Sequence, residues 1–132
     1  MRSLVFVVPG RIDIRTGGSI YNNRIIEGLR QSGWSVGVRV LDESFPYPTT
    51  YALDHAARVL SEVPSDTLVI VDGLALSAMP VVIERETSRL RVVALVHLPI
   101  AADVGLDRET ATRLWEIERR ALNAVALIVV TG

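Results

Sequence analysis

Cysteine is absent from this chain. No disulfide, thiolate nucleophile or zinc–thiolate site can form. Lysine is absent too, because all 14 basic residues are arginine. A Walker-type phosphate lysine and a Schiff-base lysine are therefore excluded. An excess of either charge is missing as well: the formal net charge is −1, which gives no electrostatic footprint for DNA or RNA. Apolar runs are short, far below the ~20 residues of a membrane-spanning helix. The first run is of strand length and closes on Pro9-Gly10, unlike the apolar core of a secretory signal, so cytoplasmic residence is expected.

What is present is apolar and ordered. The 132 residues are 49% hydrophobic, with a mean hydropathy of +0.34. That is enough for one domain with a well-buried core.

The stretch Leu4 to Leu29 organises the chain. Leu4 to Val8 is a continuous β-branched run, as in a strand buried on both faces. A loop follows and ends in Thr16-Gly17-Gly18-Ser19. The helical pattern after it places Tyr21, Ile25 and Leu29 on one face with Ile26 beside them. A strand, a Gly-rich turn and a helix N-terminus together make an anion site. The glycines admit a ligand close to the backbone, and the first-turn N–H groups favour negative charge.

The rest of the chain alternates in the same way. Gly33 stands where a C′ glycine should end the first helix. Trp34 to Leu41 reads as a second strand through Val36, Val38 and Val40. Asp42 to Thr50, with two prolines, is a loop. Tyr51 to Val63 is helical, with Leu53, Ala56, Ala57 and Leu60 on its apolar face. Leu68 to Val71 is a buried strand ended by Asp72-Gly73. A short helix covers Ala75 to Glu86, with Pro80 in its first turns. Val92 to Val96 is a buried strand leading to His97-Leu98-Pro99. Asp107 caps a helix over Arg108 to Asn123, which carries Ala111, Leu114, Trp115, Glu118 and Leu122 at helical intervals. Leu127 to Val130 is a final buried strand. The alternation predicts an α/β, Rossmann-like doubly wound domain over residues 1–132, with a mostly parallel sheet of about five strands.

Ligands bind such sheets at the carboxyl ends of the strands. Gly10 to Ser19, Asp72-Gly73 and His97 to Asp103 should converge there, with Thr131-Gly132 at the same edge. The dinucleotide fingerprint is not met: Gly10 and the Gly17-Gly18 pair stand seven positions apart, although Asp42 ends the second strand where a ribose-binding acid would sit. No Gly-x-Ser-x-Gly elbow occurs, no acidic pair has glycosidase spacing, and no His/Asp cluster has metal-ligand spacing. His97 stands at the cleft mouth in a loop stiffened by Pro99. His55 falls on the polar side of its helix and reads as surface. Phe45, Tyr47 and Tyr51 are many aromatics for a solvated loop and suggest a mobile acceptor-binding segment. The opposite reading, rings packed on the core, stands beside it.

Three segments, in order, resemble the retaining glycosyltransferases of family 4. They are PGRIDIRTGGSIYNNRIIEGLRQSGWSVGV, VVALVHLPIAADVGL and WEIERRALNAVALIVVTG. Leu98 stands where many relatives have a second histidine, Asp103 where the pattern has glutamate, and Gly132 where serine is usual. The resemblance implies a GT-B architecture of two Rossmann-like domains, of which this chain is the N-terminal, acceptor-side one. It implies transfer of a hexose-type sugar from a nucleotide-sugar donor to a glycan, lipid or small-molecule acceptor, with retention and without a cofactor or metal. Gly17 and Gly18 would serve the donor diphosphate, His97 would contact the donor sugar as the catalytic side chain, and Asp103 would face the acceptor. The chain alone would be inactive. Two other readings stay open: an NAD-type oxidoreductase or epimerase domain, and a stand-alone nucleotide- or ligand-binding module.

Overall fold

The computed structural model describes residues 2–10, 17–97 and 105–131. Its elements are β1 (Ser3–Pro9), α1 (Gly17–Gln31), β2 (Ser35–Leu41), α2 (Thr50–Ser61), β3 (Leu68–Asp72), α3 (Gly73–Leu76), α4 (Pro80–Glu86), β4 (Arg91–Val96), α5 (Arg108–Ala124) and β5 (Leu127–Val130). The five strands form one sheet in the order β2-β1-β3-β4-β5. Every neighbouring pair is parallel. The domain is thus α/β with a Rossmann-like, doubly wound sheet. The chain steps from β1 out to β2 and then crosses back to β3, so the direction of winding reverses between β1 and β3. In sheets of this kind ligands bind at the strands' carboxyl ends beside such a switch point.

Alternate residues of each strand face opposite layers. Leu4, Phe6 and Val8 of β1 pack with Ile26 of α1, Val36 and Leu95. Val5 and Val7 share the other layer with Val69, Val71, Val92, Ala94 and Val96, covered by residues of α2 to α5 such as Ala56, Leu60, Leu76, Ile83 and Ala121. One layer therefore rests on α1 and the other on the remaining helices.

Local chemistry sets the helix ends. Gly33, at φ +96°, ends α1 as expected. The N–H of Trp34 reaches back to the Leu29 carbonyl at 3.0 Å, the closure of a Schellman-type turn. Thr49 Oγ1 accepts from the Ala52 N–H at 3.1 Å at the start of α2. Asp107 Oδ1 accepts from the Thr110 N–H at 2.7 Å at the start of α5.

Four expectations need correction. On α1 the buried stripe runs through Asn22 and Ile26, while Tyr21 is 43% exposed. Ile25 and Leu29 pack against the same layer as Ile26, so Tyr21 alone departs from the expected face. The helix expected over Ala75 to Glu86 is two, α3 and α4. Pro80 begins the second, and Met79 before it sits at φ −137° and ψ 56°, outside the helical region that a following proline disfavours. His55 is half-buried rather than surface, its ring stacked on Tyr51 with centroids 6.1 Å apart. Finally, β5 is a strand but not a buried one: Leu127, Ile128, Val129 and Val130 are 41% to 70% exposed. Among the described residues it lies outermost in the sheet, paired with β4.

Candidate functional site

Of the stretches expected to converge at the strand ends, Asp72, His97 and Thr131 meet, while Gly10 lies against Glu43 after β2. His97 directly follows β4. Its Nε2 lies 2.9 Å from Oδ1 of Asn22 on α1. Its Nδ1 lies 3.1 Å from Oγ1 of Thr131, immediately after β5. Asn22 Nδ2 in turn donates to Asp72 Oδ2 at 2.7 Å. The second oxygen of Asp72 accepts from the Leu74 N–H at 2.8 Å, capping α3. His97 Nε2 is 3.6 Å from Asp72 Oδ2, an electrostatic neighbour rather than a direct hydrogen bond. The Tyr21 ring stands edge-on to the imidazole, 5.4 Å between centroids.

Each side chain is where it is for a local reason. Asp72 is the last residue of β3 and the N-cap of α3, so its carboxylate turns back on the helix it starts. Asn22 occupies the buried stripe of α1 one turn before Ile26, and points at the sheet edge instead of the apolar layer. Thr131 is tied down by its own N–H, which donates to the Val96 carbonyl at 3.0 Å. The residue after Asp72 approaches β4 closely: a Cβ on Gly73 would stand 3.1 Å from the Leu95 carbonyl oxygen and 3.2 Å from Val96 Cα.

The polarity of this chain of bonds follows from its one acceptor-only end. A carboxylate cannot donate, so Asn22 must turn its NH2 toward Asp72 and its carbonyl toward His97. Asp72 is buried at 2% exposure and Asn22 at 4%, where polar groups need partners. Each has them.

The other expected residues divide. Gly17 and Gly18 form the first two positions of α1 rather than the loop before it, so their N–H groups belong to the first turn, for which the helix itself supplies no acceptors. Phe45 is 6% exposed and joins the core that includes Leu41 and Ala52. Its ring is taken by packing, and the expectation that it meets an acceptor is corrected accordingly. Tyr47 and Tyr51 are exposed, at 52% and 62%. Asp103, with all of 98–104, lies outside the described residues, as does the loop 11–16. Asp42 uses Oδ1 to accept from the Ser44 N–H at 2.8 Å, which holds its carboxyl below the usual carboxylate range. It serves the turn after β2.

Asn22 was not legible as a site residue, and Thr131 was expected at this edge but not as a partner of His97. The available signal for Asn22 was a polar side chain in phase with Ile25, Ile26 and Leu29 on an apolar stripe. Among the described residues no cluster of His, Asp and Glu is arranged to hold a metal ion. Among the same residues no helix is long and apolar enough to cross a membrane. A groove of about 470 Å³ between α4 and α5 is lined by Glu84, Glu116, Arg119 and Arg120, apart from the His97 group. Its Arg120 is committed to Glu84 through contacts of 2.9 and 2.6 Å. No protein-family model matches the chain, and no curated protein matches it in sequence.

Proposed function

We propose that this chain is the acceptor-side domain of a retaining, nucleotide-sugar-dependent glycosyltransferase, working with a second Rossmann-like domain that carries most of the donor. One observation carries the reading. The three segments that resemble family 4 meet in a single side-chain group: Asn22 from the first and Thr131 from the third hold His97 from the second. They meet at the carboxyl ends of the strands, beside the helix that begins with Gly17 and Gly18.

In this reading the reaction breaks the bond between the donor's anomeric carbon and its diphosphate, and an acceptor hydroxyl takes the sugar with retention. The first-turn N–H groups at the start of α1 face the departing diphosphate. His97 touches the donor sugar where positive charge develops. Tyr47 and Tyr51 present exposed rings suited to an acceptor. The exposed apolar strand β5 also fits a surface that another part of the enzyme covers.

The test is kinetic, on the complete enzyme. His97→Ala should lower kcat by about 10²-fold, more than it weakens donor binding, for a lost preorganised contact. This chain alone, incubated with a panel of nucleotide sugars and generic acceptors, should not turn over. Robust transfer by the chain alone would remove the two-domain reading. Unchanged kcat in the variant would remove His97 from the mechanism.

A further inference from the structure

We infer that the Asp72–Asn22 pair is a positioning device that fixes His97 as its Nε2–H tautomer, so that the nitrogen offered to a ligand is Nδ1, a hydrogen-bond acceptor for a hydroxyl. The inference deepens the proposed function, and its ligand claim rests on that reading.

The argument begins at the buried carboxylate. Asp72 can only accept, and Asn22 Nδ2 donates to it at 2.7 Å. The amide carbonyl of Asn22 is thereby aimed at His97 Nε2, 2.9 Å away. A carbonyl accepts, so Nε2 must carry the hydrogen. In the neutral ring the other nitrogen then has a lone pair and no proton. A negative charge behind the amide polarises it toward the imidazole, and successive bonds in a poorly hydrated site reinforce one another. The same logic orients metal-bound histidines through an outer partner on the far ring nitrogen. Here it would set which nitrogen meets substrate.

The resident partner of Nδ1 is the Thr131 hydroxyl, at 3.1 Å. A hydroxyl rotates and can either donate or accept, so it adapts to the tautomer instead of dictating it. Thr131 is half-buried and follows the outermost strand. A sugar hydroxyl arriving at the crevice can replace Thr131 as the donor to Nδ1 without disturbing the Asn22 side. The partner chemistry is therefore a hydroxyl donor, not an anion and not a carbonyl, neither of which can donate to a lone pair. The structure so reverses the sense of the contact that His97 would make if it donated to the sugar.

Long-range proton–nitrogen correlation NMR of the histidine rings reads this directly, at mildly alkaline pH where an imidazole is neutral. The chain as it stands should show a pyrrole-like Nε2 and a pyridine-like Nδ1 for His97. In Thr131→Val that pattern should persist, with Nδ1 moving further toward the value of an unbonded lone pair. In Asn22→Leu the two nitrogens should move toward the averaged values of mixed tautomers. A pyrrole-like Nδ1 in the unmodified chain overturns the inference. So does a tautomer lost in Thr131→Val, or one retained in a folded Asn22→Leu. If Asn22→Leu does not fold, the unmodified chain and Thr131→Val still decide. Because the readout is a protonation pattern, its failure is separate from a failure to transfer sugar.

Discussion

Asn22 on α1 and Asp72 at the end of β3 are 50 positions apart, yet their side chains meet at 2.7 Å in the interior. This bond ties the first helix to the far side of the switch point. It gives the acidic N-cap of α3 a second duty, since one oxygen serves the Leu74 N–H and the other serves Asn22. Folding and site geometry are therefore coupled through one carboxylate.

That coupling makes Asp72→Ala costly. It leaves the buried Asn22 NH2 and the part-buried Leu74 N–H without their acceptor. The expected loss is about 1–3 kcal/mol, the range for orphaned buried polar groups. Urea denaturation followed by circular dichroism measures it. Asp72→Asn should cost less, because an amide oxygen can still cap α3. If the two variants lose equal stability, the cap carries nothing.

Gly73→Ala tests the close approach of α3 to β4 next to Asp72. The new Cβ would meet the Leu95 carbonyl oxygen at 3.1 Å and Val96 Cα at 3.2 Å. Both are backbone atoms of β4, so relief requires α3 and the strand to part. Overpacking of this kind costs about 1–3 kcal/mol. The His97 ring should move with it, read as a change in its NMR signals. A variant with native stability and unchanged His97 signals would show that α3 is free to shift.

The fold was legible wherever one residue pattern decides one neighbourhood. Leu4 to Val8, Leu68 to Val71 and Val92 to Val96 are unbroken apolar runs, and all three became interior strands. Leu127 to Val130 is the same kind of run and became an exposed edge. A run records apolarity but not what lies beside it, and the strand order that puts β5 outermost is a long-range outcome. The site divides in the same way. His97 and Asp72 could be placed because they end strands. Asn22 could not, since a polar residue in a helix acquires its meaning only when Asp72 is folded against it. Phe45 failed for the opposite reason: an aromatic ring in a Pro-rich loop looks the same in sequence whether it faces solvent or core.

Gly18→Ala separates backbone from ligand at the start of α1. Gly18 is helical, and alanine is favoured over glycine inside a helix by up to about 1 kcal/mol. The melting temperature should hold or rise. Under the transferase reading kcat/KM in the complete enzyme should nonetheless fall at least about tenfold, roughly 1.4 kcal/mol of transition-state binding. Full activity would show that nothing approaches that turn closely.

Asp107 supplies a pH signature for α5. The Thr110 backbone N–H lowers its carboxyl from the ordinary value. A carboxyl lowered on folding contributes stability that is fully present above its unfolded value. That stability is lost as pH falls through the lower, folded value. Fraying of α5 should therefore grow only on the acid side, below the normal aspartate range. Asp107→Asn keeps a capping oxygen but has no proton to bind, so this part of the acid dependence should vanish. Amide exchange along 108–112 across an acid series reads it, and an unchanged pH profile would assign the acid effect elsewhere.

The edge strand makes the last prediction. Leu127 and Val129 lie on one face of β5, and Ile128 and Val130 on the other, as their register with Val93 to Val96 requires. All four are exposed, Val130 most at 70%. An apolar edge with open backbone groups is a template for pairing. The chain alone should therefore self-associate as its concentration rises, which light scattering detects. Val130→Lys places a charge on the most exposed position and should lower that association. Because so little of Val130 is buried, thermal stability should change by no more than about 0.5 kcal/mol, the range of ordinary surface substitutions. If scattering is unaffected while stability drops, Val130 is holding the sheet together rather than presenting a surface to something outside it.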